Sequence, residues 1–225
     1  MNKPVLLFFI LLVTLGANAQ PGGYLNKKQE LSVDGFEYFF QKSISVDYKF
    51  LFHKNFGLLL NVSPQKLSAD FNDGFYASSG VADVKSMSYG AGILFKSPWT
   101  GMPLPLGHYF ALIYNITKAD ITETYTADKH SNIFLHHGNH IRMVMARETR
   151  IFKGLIIDYG ITVGYAWGQV ERTDPDVQPH AIYPYLTPWP SVDDYGSRRY
   201  RSVSDTELKY KQFTFMPRIK LGWLF

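Results

Sequence analysis

The chain has 225 residues, 46% hydrophobic and 16% aromatic, with no Cys and a formal charge of +4. Zero Cys excludes a disulfide framework, and so small a charge does not single out a nucleic-acid partner. Beyond the first twenty residues no stretch approaches the ~18 consecutive apolar residues of a membrane helix, which excludes a helical membrane bundle.

Met1-Asn2-Lys3 is a short basic segment, Val5 to Leu15 an apolar core, and Ala17-Asn18-Ala19 an A-x-A cleavage pattern. This order predicts an export signal over 1–19. The apolar core is too short for a spanning anchor, which needs ~20 residues. No Cys follows the small residues, so lipid attachment is not expected. The remaining segment, 20–225, is long enough for one domain.

Alternation then recurs at the length of tilted membrane strands, ~9–11 residues. A first strand is expected near Glu30 to Phe40, where Phe36, Tyr38, Phe39 and Phe40 break the period. Ile44, Val46, Tyr48, Phe50 and Phe52 share a face of the second, with Ser45, Asp47 and Lys49 between them. A turn at His53-Lys54-Asn55 leads to Phe56, Leu58, Leu60 and Val62. Met87, Tyr89, Ala91, Ile93 and Phe95 form the next face, opposite Ser86, Ser88, Gly90 and Gly92. Phe110, Leu112, Tyr114 and Ile116 mark a fifth strand. Ile141, Met143 and Met145 mark a sixth, opposite His140, Arg142 and Glu148. Leu155 to Trp167 alternates most clearly, with Asp158, Gly160, Thr162, Gly164 and Ala166 on its second face. Gln212 to Phe225 closes the set: Phe213, Phe215, Ile219, Leu221, Trp223 and Phe225 oppose Thr214, Met216, Arg218, Lys220 and Gly222.

Short connections at 53–55 and 152–154, and a proline-stiffened one at 97–107, alternate with long ones at 70–83, 124–139 and 171–206. Tight turns on one side and long loops on the other, with an even strand number, are the pattern of outer-membrane barrels. The expected fold is all-β: an eight-stranded antiparallel up-and-down transmembrane β-barrel, monomeric, in the cell outer membrane.

The chain resembles the small eight-stranded outer-membrane barrels of the OmpX and OmpA transmembrane-domain type. The residues carrying the resemblance are Ala17-Asn18-Ala19-Gln20, Lys54-Asn55-Phe56-Gly57, Pro105-Leu106-Gly107-His108-Tyr109 and Trp223-Leu224-Phe225. The resemblance implies that Trp223 and Phe225 form the signal read by the barrel-assembly machinery. It also implies outer-membrane lipids and lipopolysaccharide as surroundings. It is architectural, because one fold hosts many activities.

Four groups of residues are candidates for function. Asp47, Lys49, Arg142, Glu148, Arg150, Asp158, Arg218 and Lys220 share the inward parity and are expected to pair in the interior, because isolated buried ions are costly. Trp189, Tyr195, Arg198, Arg199 and Arg201 lie in a proline-rich loop suited to binding a partner or lipopolysaccharide phosphates. His130, His136, His137 and His140 are close in sequence, but too few ligands at fixed geometry accompany them to predict a metal. His130-Ser131 are adjacent and so face opposite ways on a strand. The two-residue spacing of lipid A deacylases is therefore absent. Asp193-Asp194 and Ser204-Asp205 match no catalytic pattern, and Gly90-Ala91-Gly92 lacks a third Gly for a phosphate loop.

The expectation is a structural or interaction protein presenting loops, with no catalysis, cofactor, metal or nucleic acid. One alternative is a lipid A-modifying enzyme with a rim site. The other is a soluble exported lipocalin-like barrel, which requires the aromatic parity to point inward.

Overall fold

The computed structural model describes residues 29–34, 43–53, 55–73, 78–96, 106–126, 131–172, 201–204 and 207–225. They form β1 (Gln29–Asp34), β2 (Ser45–Leu51), β3 (Phe56–Asp73), β4 (Ser78–Lys96), β5 (Gly107–Tyr125), β6 (Ser131–Phe152), β7 (Leu155–Arg172), β8 (Arg201–Ser204) and β9 (Glu207–Leu224). From β1 to β7 each strand pairs antiparallel with the next, β7 pairs with β9, and β9 pairs with β1. Eight antiparallel strands therefore close into an up-and-down ring. β8 only flanks the start of β9, with Arg201 opposite Lys209.

The chain's described ends make the closure. Gln29 N donates to Phe225 O at 3.2 Å and Phe225 N to Gln29 O at 3.0 Å. The same end, called near here, carries the tight turn in which His53 and Phe56 exchange backbone hydrogen bonds at 3.1 and 3.3 Å. It also carries the Lys153-Gly154 turn between β6 and β7.

In the near half, the aromatic and aliphatic parity points out. Phe56, Leu58, Tyr89, Ile93, Leu112, Ile141, Ile161, Phe215 and Leu221 are exposed, and Phe213 reaches 72%. The opposite parity is inside and mixed: Ser45, Asp47, Lys49, Asn61, Glu148, Asp158, Arg218 and Lys220 are buried, beside an apolar cluster that includes Leu59, Leu94, Ile113 and Val144. In the far half the same strands reverse. Lys66, Lys85, Lys118 and Asp120 face out, while Val84, Ala119, Ile121, Phe134 and Val170 pack together inside. The pleat is continuous through the change. Only the chemistry assigned to each parity switches.

This reversal corrects two expected loops. Residues 70–83 are mostly strand: β3 runs to Asp73, β4 starts at Ser78, and Asp70 pairs with Val81. Residues 124–139 are also mostly strand, with Thr124 opposite Ser131 and Ile116 opposite Asn139. On β3 and β4 polar outward residues read as loop although Ala82 and Val84 point in, and on β6 the parities are mixed, with Ile133 and Leu135 outward and Asn132 and His136 inward. β1 is described only to Asp34, so the rest of the first expected strand lies outside the described residues. The expected leader at 1–19 and segments 97–105 and 173–200 also lie outside them.

Candidate functional site

The near-half interior is organised around the Lys49 ammonium. β2 alternates, so Asp47 and Lys49 point in while Tyr48 and Phe50 point out. From there Lys49 Nζ reaches Glu30 Oε1 at 2.7 Å, Glu148 Oε1 at 2.5 Å and Asp158 Oδ2 at 2.8 Å. Glu30 is its direct neighbour on β1, whereas Glu148 and Asp158 lie on β6 and β7 across the ring. Glu148 and Asp158 are themselves cross-strand partners. Like charges so placed repel, and the shared ammonium offsets that repulsion. Lys96 of β4 forms a second ion pair with Glu148.

Tyr109 completes this layer. Its hydroxyl donates to Asp158 Oδ2 at 2.8 Å, and its ring lies 4.4 Å from Lys49 Nζ and 5.0 Å from Lys96 Nζ. Both distances suit cation–π attraction.

Arg218 of β9 links this layer to a second. Its Nη2 donates to Asp158 Oδ2 at 2.7 Å and to Asp47 Oδ2 at 2.6 Å. Lys220 Nζ lies 3.1 Å from Asp47 Oδ2 and 3.5 Å from Asp34 Oδ2, and donates to Ser45 Oγ at 3.1 Å. Asn61 Nδ2 donates to Asp47 Oδ1 at 2.7 Å. Arg142 forms the next rung, donating from Nε to Asn115 Oδ1 at 2.8 Å and from Nη2 to Asn61 Oδ1 at 2.9 Å.

Glu30, Glu148 and Asp158 bring three carboxylates together in the manner of a cation site. Lys49 bonds to all three, so its ammonium is the cation of that cluster. Its chemistry is cohesion: charged side chains from six strands are tied into one layer.

Of the residues expected to point inward, Asp47, Lys49, Glu148, Asp158, Arg218 and Lys220 are buried and Arg142 is half-buried. Arg150 departs from the expectation. It has the inward parity, but it is exposed near the end of β6. Glu30, Asp34, Lys96, Asn61, Asn115 and Tyr109 are members that sequence reasoning missed. Lys96 was legible in principle, since it shares parity with Gly90 and Gly92, but its place beside a proline-rich turn makes it look like a surface lysine. Glu30 and Asp34 were hidden by the poor alternation of the first strand.

His136, His137 and His140 sit on β6 rather than in a loop. His136 and His140 share the interior face, as their spacing implies. Each is engaged by a hydroxyl: His136 Nε2 with Tyr210 Oη at 2.6 Å, and His140 Nε2 with Thr214 Oγ1 at 2.7 Å. Gly138 and Gly168 make room for Tyr210, since a Cβ on either would lie within 2.8 Å of its hydroxyl. His137 faces out. His130, Trp189, Tyr195, Arg198 and Arg199 lie outside the described residues, and only the backbone of Arg201 is described, on β8. Trp223 is outward, between Leu31 of β1 and Leu155 of β7, and Phe225 joins Gln29 at the closure.

Replacing Lys49 with Met leaves three buried carboxylates without their shared partner. The variant should lose about 3–5 kcal/mol of unfolding free energy, measured by urea titration, whereas Lys66→Met on the outer face should lose almost none. No family model, curated protein or solved structure matches the chain.

Proposed function

We propose that this chain is an integral outer-membrane protein, an eight-stranded β-barrel whose near half lies in lipid and whose far half stands in water outside the cell. Its role is structural or interactive: a rigid, non-catalytic anchor that presents its far-end connections, chiefly the segment between Arg172 and Arg201, to partners or to lipopolysaccharide. The observation that carries this reading is the reversal of polarity along single strands. A wholly soluble ring would keep its apolar parity inside along its full height, and a lipocalin-like ligand carrier would need the opposite arrangement in the near half.

The dimensions support the reading. The outward apolar run on β9 goes from Phe213 to Trp223. Ten steps of ~3.4 Å, tilted by ~40°, give a band of about 26 Å, against the ~25 Å apolar band of such barrels. Tyr114, Tyr165, Trp167 and Phe213 cluster at its far edge, with ring centroids 5.1 to 6.3 Å apart. Tyr114 Oη donates to Asn139 Oδ1 at 2.6 Å. Amphipathic rings of this kind favour the headgroup level. The export signal expected at 1–19 supports the location.

Heat-modifiability on a detergent gel tests the proposal. Unboiled protein from outer-membrane fractions should run as a compact form that shifts only on boiling. A soluble periplasmic protein with no shift would overturn it. Ile161→Arg, opposite Pro217 in the middle of the band, should cost about 2–4 kcal/mol of folding into bilayers. Normal membrane assembly of that variant would argue that the face does not meet lipid.

A further inference from the structure

The outer face has one groove that the belt alone does not explain. It lies near the near end, across β4 to β7, with a volume of about 630 Å³. Its walls include Phe95, Phe110, Met145 and Tyr159, and its polar lining includes the outward His108 and Arg147 and the inward Lys96 and Tyr109, which are engaged in the interior network. The backbone places these two together, since His108 of β5 is directly opposite Arg147 of β6, and Arg147 is opposite Tyr159 of β7. Ala146 and Gly160 pair beneath its floor.

Arg147 is the anomaly. Its outward neighbours toward the far end are Met145, Met143 and Ile141, so a guanidinium here meets the foot of an apolar belt. Its Nε is buried and has no hydrogen-bond partner. An unsatisfied buried donor costs about 1–3 kcal/mol, and more when charged. The geometry calls for an anion beside an apolar trough. A guanidinium fork matches phosphate oxygens bidentately, and the imidazole of His108 offers a further donor.

We propose that this groove binds one anionic glycerophospholipid of the inner leaflet, with its phosphate on Arg147 and His108 and an acyl chain along Phe95, Phe110, Met145 and Tyr159. The proposal rests on the membrane reading above and adds a specific lipid partner to it. Shape and charge select the ligand together. The trough takes an acyl chain, and the two basic groups take the phosphate at its end. The near end, with both described chain ends and the tight turns, faces the periplasm in that reading, where the leaflet is made of glycerophospholipid.

The test is native mass spectrometry of the folded full chain in micelles with equimolar phosphatidylglycerol and phosphatidylcholine, each sample first checked for the heat-modifiable form. Wild type should retain one phosphatidylglycerol in preference to phosphatidylcholine. Arg147→Gln should cut that preference on the order of tenfold, as loss of a charge-assisted contact predicts, and His108→Gln should cut it less. Lys153→Gln, which removes the same charge from the near-end turn, should leave it unchanged. A heat-modifiable wild type that retains both lipids equally overturns the lipid site and leaves the membrane reading standing. So does a Lys153→Gln loss equal to that of Arg147→Gln. Absence of the heat-modifiable form overturns both.

Discussion

The Lys49 ammonium is the interaction on which the rest of the interior depends. In an eight-stranded closed sheet the space inside is just filled by side chains, so charges from opposite walls must meet. Lys49 on β2 meets Glu148 on β6 and Asp158 on β7, strands that share no backbone bonds with β2. Neighbouring strands are registered by their own ladders, but opposite walls have only side chains to register them. A one-residue slip of β2 would turn Lys49 to the outer face, taking from Glu30 its ion pair and leaving Glu148 and Asp158 only Lys96 and Arg218. The cost of that error is several kcal/mol, and it rises with every carboxylate exposed to the loss. Burying so many ions contributes little net stability. Its benefit is that alternative registers become worse.

The reversal of polarity follows from where hydrophobic driving force is available. On the membrane reading proposed above, an apolar interior gains nothing over an apolar exterior where lipid lies outside, so the near-half interior can hold paired charges beside its cluster of Leu59, Leu94, Ile113 and Val144. Where water lies outside, the ring needs an apolar core to hold its walls together, and Val84, Ile121, Phe134 and Val170 supply one. One continuous strand therefore carries two opposite codes. The boundary falls at the first outward lysines: Lys66 on β3, Lys85 on β4, Lys118 on β5 and Lys211 on β9.

That double code explains what was legible in the sequence. Near-half segments such as Leu155–Trp167 and Gln212–Phe225 show an apolar parity on a polar or small one, and their facing was readable without coordinates. The far halves were missed because the search followed the same apolar parity, which there turns to Lys66, Ser68, Asp70 and Asp120. Tracking the other parity, through Ala82, Val84, Ala119 and Ile121, would have extended the strands. The charge network was half legible. Parity says which residues point in, so Asp47, Lys49 and Asp158 were found, but it does not say which ones reach one another across the ring. Arg150 has the right parity and fails by height alone. The groove at His108 and Arg147 had no sequence signal, because the two are distant in the chain and only the β5–β6 register makes them neighbours.

The two strand prolines follow the same backbone accounting. Leu224 N donates to Gly154 O, and Phe225 N donates to Gln29 O. Even-numbered amides of β9 therefore face β7, and odd-numbered ones face the β1 side. Pro217 is odd-numbered, so its missing N–H lies on the β1 side, past the last β1–β9 pair at Asp34 and Lys220. The ladder to β7 loses nothing. Pro64 sits comparably on β3: its carbonyl accepts from Ile44 N at 3.2 Å, and its ring returns no donor at the end of the β2–β3 ladder. Proline is tolerated in sheets only where its missing donor is not needed. In lipid the argument is stronger, because every unsatisfied N–H there costs several kcal/mol. Pro217 lies within the outward apolar run of β9, where it adds apolar surface and removes a donor for which the described residues provide no partner.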